Sequence, residues 1–273
     1  MKIISIFDQL GRCIEVNEKP KRIISLVPSQ TELLYDLGLN EEVVGITKFC
    51  IHPEKWHKTK TRIGGTKNPD IEKIRKLNPD FIICNKEENQ QEHINQLAAE
   101  FPVWISDIKN LNDACAMIKA IGELTFPIRA HEIIDSINSN FHYLNSHLPK
   151  QQPGQLKKIL YLIWHNPVMV AGGDTFINAM LRQCGFLNAV ESKLRYPDIK
   201  LNQLKEINAD YLFLSSEPFP FKQKHADELQ TYCPGSKIVF VNGEFFSWYG
   251  SRLMHAPKYF LQLINSLDES GKK

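Results

Sequence analysis

The sequence predicts an α/β fold of two lobes, each a mainly parallel sheet flanked by helices, joined by one long bridging helix. Three observations carry that prediction. Short apolar runs alternate with amphipathic segments in both halves of the 273-residue chain. A single uninterrupted helical pattern separates the halves. A helix-turn-strand block at residues 71–84 reappears at residues 201–214.

In the first half, Ile23 to Val27 reads as a buried strand. A helix follows from Gln30 to Leu37, with Ser29 and Glu32 spaced as a capping box and Gly38 as its stop. Val43 to Ile46, Phe81 to Cys84 and Val103 to Ile105 are further strands. Ile71 to Leu77, Asn89 to Glu100 and Leu111 to Leu124 read as helices. Then Ile133, Ile134, Ile137, Phe141, Leu144 and Leu148 recur at spacings of three and four. Pro127 stands near the start of this pattern and Pro149 stops it. A helix of that length is roughly 30 Å long. Gln151 to Gln155 reads as a polar linker.

The alternation then resumes. Ile159 to Trp164, Tyr211 to Leu214 and Lys237 to Val241 are strands. Thr175 to Cys184, Leu201 to Ile207 and Ser251 to Leu267 are helices. The expected organisation is a lobe over residues 1–126, a bridging helix over 127–149 and a second lobe over 150–273. The repeated block contains Asn78-Pro79-Asp80 in one copy and Asn208-Ala209-Asp210 in the other, at equal spacing, which favours a duplicated lobe over chance. Two lobes joined by one helix imply a cleft, and small ligands bind in clefts.

Composition excludes several classes. Hydrophobic residues make up 42% and charged residues 23%, the balance of a globular protein. Net charge is +2 with scattered Lys and Arg, so nucleic acid is not an expected partner. No apolar run is long enough to span a bilayer. Six widely spaced cysteines form neither a zinc pattern nor a disulfide framework. The apolar start Ile3 to Phe7 is cut short by Asp8 and Gly11, too early for a signal peptide. As given, the expectation is a cytoplasmic protein, or a chain trimmed near its mature start.

One block narrows the class. Arg22-Ile23-Ile24-Ser25-Leu26-Val27-Pro28-Ser29-Gln30-Thr31-Glu32, then Gly64-Gly65-Thr66 and Leu77-Asn78-Pro79-Asp80, resembles the helical-backbone (class III) substrate-binding proteins of ABC importers. The type that captures cobalamin, haem or ferric siderophores is the most similar, the cobalamin receptors above all. The resemblance runs from about Arg22 to the last helix. It implies a periplasmic, monomeric, non-enzymatic receptor with no intrinsic cofactor. Its ligand would be a metal chelate, a corrinoid first and haem or a ferric siderophore next, held in the interlobe cleft. It also implies docking to ABC permease subunits through acidic residues. Glu72 matches the first of these, and the second is expected near Ser247, with Glu244 close by. The alternative is a cytoplasmic protein that handles a tetrapyrrole or metal without a transporter.

The expected ligand contacts lie on four loops and one strand end. Ser29 sits at a helix N-terminus suited to an anion, or serves only as a cap. Phe49, Cys50 and His52 lie in "FCIHPEKW", where lining of the cleft is expected rather than catalysis, and Pro53 and Trp56 shape the turn. Thr66 and Lys67 follow two glycines that let backbone approach a ligand. Phe246, Trp248 and Tyr249 suggest a platform for a flat macrocycle, and Arg252 a partner for an acidic side group. Trp164 and His165 end the first strand of the second lobe. Cys50 or His52, and His165, are candidate axial ligands to the metal of the chelate, with lining of the cleft the expected role. No residue is assigned to catalysis or to a protein-held metal.

Overall fold

The computed structural model describes residues 2–149 and 156–269. The expected linker Gln151 to Gln155 lies outside the described residues. The chain divides into two compact units, one of residues 1–108, 112–137 and 248–252, the other of 109–111, 138–247 and 253–273. Neither unit is continuous in sequence, unlike the expected boundaries at 126 and 149.

Unit 1 opens with a hairpin the sequence reading missed, β1 (Ile3–Phe7) and β2 (Cys13–Asn17). Its strands alternate exposed with partly buried positions, and that pattern is weak over five residues. Next come β3 (Ile23–Ser25), α1 (Pro28–Asp36), β4 (Val43–Ile46), α2 (Glu54–Thr59) and β5 (Thr61–Arg62). They are followed by α3 (Ile71–Leu77), β6 (Phe81–Asn85), α4 (Gln91–Ala98), β7 (Val103–Ser106) and α5 (Leu111–Leu124). The sheet runs β5-β4-β3-β6-β7, every pair parallel. Because such a sheet is covered on both faces, β3, β6 and β7 are buried throughout, while the edge strand β5 is exposed. Ile24, Leu26, Ile82, Cys84 and Ile105 pack against Ile74, Ile94 and Leu97 of the helices.

The long helix is α6 (Pro127–His147), with Ile133, Ile137, Phe141 and Leu144 buried along one stripe. Residues to Ile137 belong to unit 1 and those from Asn138 to unit 2.

Unit 2 contains β8 (Lys158–Trp164), β9 (Val168–Val170), α7 (Phe176–Gln183), β10 (Leu187–Asn188) and β11 (Asp198–Ile199). A 3-10 turn at Leu201–Glu206 leads to β12 (Tyr211–Ser215), α8 (Gln223–Tyr232), β13 (Lys237–Val241), α9 (Glu244–Ser247) and α10 (Ala256–Glu269). The order is β11-β9-β8-β12-β13, parallel through β8, β12 and β13 and antiparallel at β9 and β11. The helix expected from Ser251 starts at Ala256, after a 3-10 turn at Ser251–Met254. Helix α8 was not foreseen, since only Ala226 and Leu229 of its ten residues are buried.

The repeated block has a physical basis. Asn78 and Asn208 both adopt left-handed backbone, with φ of 43° and 49°. Asp80 accepts the backbone N–H groups of Lys21 and Arg22, both at 2.8 Å, at the entry to β3. Asp210 accepts that of Lys158 at 2.7 Å, at the entry to β8. Each Asn-x-Asp turn thus ends a helical turn and pins the start of the neighbouring strand.

Candidate ligand-binding site

In parallel sheets ligands bind beyond the carboxyl ends of the strands. In unit 1 those ends lead into residues 26–30, 47–52 and 86–89. The segment after β4 puts Phe49 and Ile51 into solvent, at 53% and 48% exposure. Between them Cys50 turns inward with no exposure. Its Sγ accepts from Thr31 Oγ1 at 3.0 Å and lies 3.2 Å from Thr47 Oγ1. Burial pushes the thiol's pKa up, so it is a neutral tether for the loop and not a ligand contact. Trp56 does more than shape the turn. It is buried, stands edge-on to Tyr35 with ring centres 5.3 Å apart, and anchors α2.

Several other expected contacts are also turned inward. Ser29 is no cap, because α1 begins at Pro28 after Val27, and its side chain is buried within the first turn. Thr66 is buried and its carbonyl accepts from Asn89 Nδ2 at 2.9 Å. Gly64 has φ of 94°, and a Cβ there would lie 2.7 Å from the Asn68 carbonyl, so this glycine serves the turn. Lys67 is exposed, and its Nζ donates to the Glu87 carbonyl at 2.6 Å.

The aromatic loop differs most from the expected open platform. Phe246 is fully buried in unit 2, with Tyr161 and Phe260 at ring-centre distances of 5.2 and 4.8 Å. Trp248 to Arg252 belong to unit 1, where Trp248 and Tyr249 are buried. His52 stands edge-on to Trp248 at 5.6 Å, and the Arg252 guanidinium lies over the same indole at 4.6 Å. Arg252 donates to both oxygens of Glu32, Nε at 2.9 Å and Nη2 at 2.6 Å. Its charge is therefore already paired, and Glu32 is its partner instead of half a capping box. Tyr249 donates to Glu88 at 3.3 Å, and burial with the Glu88 carboxylate beside it holds the phenol's pKa well above its ordinary value. A Cβ on Gly250 would meet the Ser29 carbonyl at 2.4 Å, so only glycine lets this segment lie on α1.

In unit 2 the carboxyl end of β8 exposes Trp164 and leaves His165 partly exposed. Phe219, Phe221 and His225, from the segment after β12 and the start of α8, gather around them. Sequence reasoning missed these three because they lie more than fifty residues from His165 and carry no local pattern.

The expected docking acid Glu72 is exposed on α3, paired with Arg75, which also holds Glu100. No acid stands at Ser247, whose hydroxyl donates to Glu217 at 2.6 Å. The repeat sets Asn202 where the first copy has Glu72.

Both sheet units place an exposed aromatic side chain at or just beyond the carboxyl end of a strand, Phe49 after β4 and Trp164 at the end of β8. The chain belongs to the periplasmic binding protein family, whose sequence pattern it matches over residues 23–232. It is 23% identical over 253 residues to the vitamin B12-binding protein of Yersinia pestis, covering 90% of this chain and 87% of that one. Among solved structures it is similar to a periplasmic haem-binding protein of Roseiflexus, with TM-score 0.77, 20% identity, and 89% and 99% of the two chains covered. It is also similar to the petrobactin-binding protein of Bacillus subtilis, with TM-score 0.81, 16% identity, and 97% and 99% covered.

Proposed function

We propose that this chain is the substrate-binding component of an ABC-type importer and captures a metal chelate, a corrinoid in first place and haem or a ferric siderophore behind it. Family membership and relatives named for vitamin B12, haem and petrobactin support the reading. The observation that carries it is the pair Phe49 and Ile51, two large apolar side chains left in solvent at the carboxyl end of β4. Exposed apolar groups at such a position serve contact with a partner or ligand. With Ser29, Cys50, Thr66, Phe246, Trp248, Tyr249 and Arg252 committed to internal packing, the contacts reduce to Phe49, Ile51, His52 and Lys67 in unit 1 and Trp164 and His165 in unit 2. Glu72 is the docking acid toward the permease.

Titration with cobalamin, cobinamide, haemin and ferric siderophores, followed by absorbance, tests this. Micromolar or tighter binding of one of them is expected, weakened about tenfold in Phe49→Ala, as for loss of about 1.4 kcal/mol of contact. Binding by none, or an unchanged affinity in that variant, overturns the site.

The absence of an acid at Ser247 and at Asn202 favours a second reading, a tetrapyrrole- or metal-handling protein without a transporter. Fractionation of cells decides between them. The importer reading requires the native protein outside the cytoplasmic membrane.

A further inference from the structure

The outer strand of the unit 2 sheet, β13, has one unpaired side. No strand among the described residues lies beyond it. Apart from Lys237 at its start, the strand lacks the charges, proline and bulges that guard a sheet edge. Phe240 is 46% exposed, and Ile238 and Val239 are half-buried. A groove of about 630 Å³, with Tyr211, Pro234, Ile238, Val239 and Leu267 in its lining, adjoins the strand.

The direction of the backbone groups follows from the pairing. Lys237 N–H donates to the Asp210 carbonyl at 2.9 Å, and the Val241 carbonyl accepts from Ser216 N–H at 3.0 Å. In a parallel ladder alternate residues bond to the same neighbour, so Lys237, Val239 and Val241 face β12. The N–H and C=O groups of Ile238 and Phe240 therefore point away from the sheet. The next outward position at either end is committed. Ser236 N–H donates to the Cys233 carbonyl at 3.1 Å, and Asn242 N–H to Tyr259 Oη at 2.8 Å. The open edge is thus Ile238 and Phe240, symmetric about Val239.

A symmetric edge is complementary to a second copy of itself. Antiparallel pairing about Val239 sets Ile238 of each copy opposite Phe240 of the other, and these residues exchange both N–H···O bonds. Moving the two-fold axis to Ile238 or to Phe240 would require the N–H of Ser236 or of Asn242, and both are engaged. Directly opposed side chains share a face, so Phe240 packs on Ile238 of the other copy. The charges also match. Lys237 opens the strand and Glu244 follows it, with no other charged residue between Tyr232 and Phe245. Antiparallel pairing brings the positive end of each copy to the negative end of the other.

We propose that two copies of this chain form a two-fold dimer by antiparallel pairing of β13 about Val239, with Lys237 of each copy directed to Glu244 of the other. The inference departs from the monomer that the family resemblance implies, and it does not depend on the ligand reading above. The second copy pairs the open backbone groups and shields Phe240 from water. One short strand pair makes a small interface, which sets the dissociation constant at about 10 μM.

The test is analytical ultracentrifugation of the full chain at concentrations that bracket that value. A monomer–dimer equilibrium is expected. Phe240→Pro removes an outward N–H and spares the bonds to β12, and Phe240→Lys sets a charge within the pair. Each should weaken the dimer about tenfold or more. Lys237→Glu and Glu244→Lys should each weaken it several-fold, and the double variant Lys237→Glu/Glu244→Lys should restore it. Circular dichroism and the melting temperature verify that each variant is folded. A chain that stays monomeric well above the expected dissociation constant overturns the inference and leaves the edge to a strand of another protein. So does a dimer that survives both substitutions at Phe240, which would place the contact on another surface. A double variant no tighter than the single ones overturns the antiparallel arrangement.

Discussion

The two sheets carry equivalent strands but finish their outer edges differently. In unit 1 the edge strand β7 is overlaid by the N-terminal hairpin. Gln9 N–H donates to the Ile105 carbonyl at 3.1 Å, Arg12 Nη2 to that of Val103 at 2.8 Å, and Trp104 Nε1 to that of Phe7 at 3.2 Å. In unit 2 no hairpin among the described residues covers the equivalent strand β13, and Phe240 is 46% exposed. Pairing register sharpens the equivalence. Ile83 faces Trp104 across its sheet as Phe213 faces Val239. Trp104 is buried and Val239 is only half so. The two frameworks therefore differ at their margins while the central turns pin the neighbouring strand in the same way.

The largest expected effect lies at those margins. Trp104→Ala should destabilise the protein by about 3–5 kcal/mol, and Val239→Ala by about 1 kcal/mol. Denaturant unfolding midpoints measure both, and equal losses would remove the distinction between the edges. The central turns should respond more alike. Asp80→Ala removes the acceptor of two backbone N–H groups and should cost about 2 kcal/mol, against about 1 kcal/mol for Asp210→Ala, which removes the acceptor of one. A larger loss at Asp210 would break the equivalence. Asn78→Ala and Asn208→Ala should each cost about 1 kcal/mol, because alanine resists left-handed backbone, and glycine at either position should restore the stability.

The smallest effect is a pH dependence shared by both units. Burial raises the thiol pKa of Cys84 in β6 and of Cys184 after α7 above the ordinary 9.0. The folded state favours the neutral thiol, so the contribution is complete below pH 9 and declines as pH rises beyond it. Unfolding midpoints at pH 8 and pH 10 should show the decline, and it should be less steep in Cys84→Ala and in Cys184→Ala. A midpoint that rises over this interval contradicts the sign.

What the sequence disclosed follows from where the information lies. The parallel strands were legible because burial on both faces leaves continuous apolar runs such as Phe81 to Cys84. The repeated block was legible because Asn and Asp perform local tasks, left-handed backbone and strand-start capping, that demand those residue types. Helix α8 was not legible, since Gln223 to Tyr232 is polar apart from two inward positions. Nor was the fate of Trp248, Tyr249 and Arg252. Three residue types common in binding sites are equally suited to internal packing, and only the distant Glu32, His52 and Glu88 decide which role they take. Cys50 was misjudged for a similar reason. Alternation along Phe49-Cys50-Ile51 points neighbouring side chains in opposite directions, and the hydroxyls that receive the thiol come from Thr31 and Thr47.

The return of residues 248–252 to unit 1 has a consequence for biosynthesis. Domains generally fold in order as the chain leaves the ribosome. Here the first unit cannot form its Arg252–Glu32 pair, or cover His52 with Trp248, until nearly the whole polypeptide has been made. A nascent chain ending within α6 holds every strand of the first sheet and still lacks the segment that lies on α1. Its N-terminal half must wait, incomplete, for its own last residues.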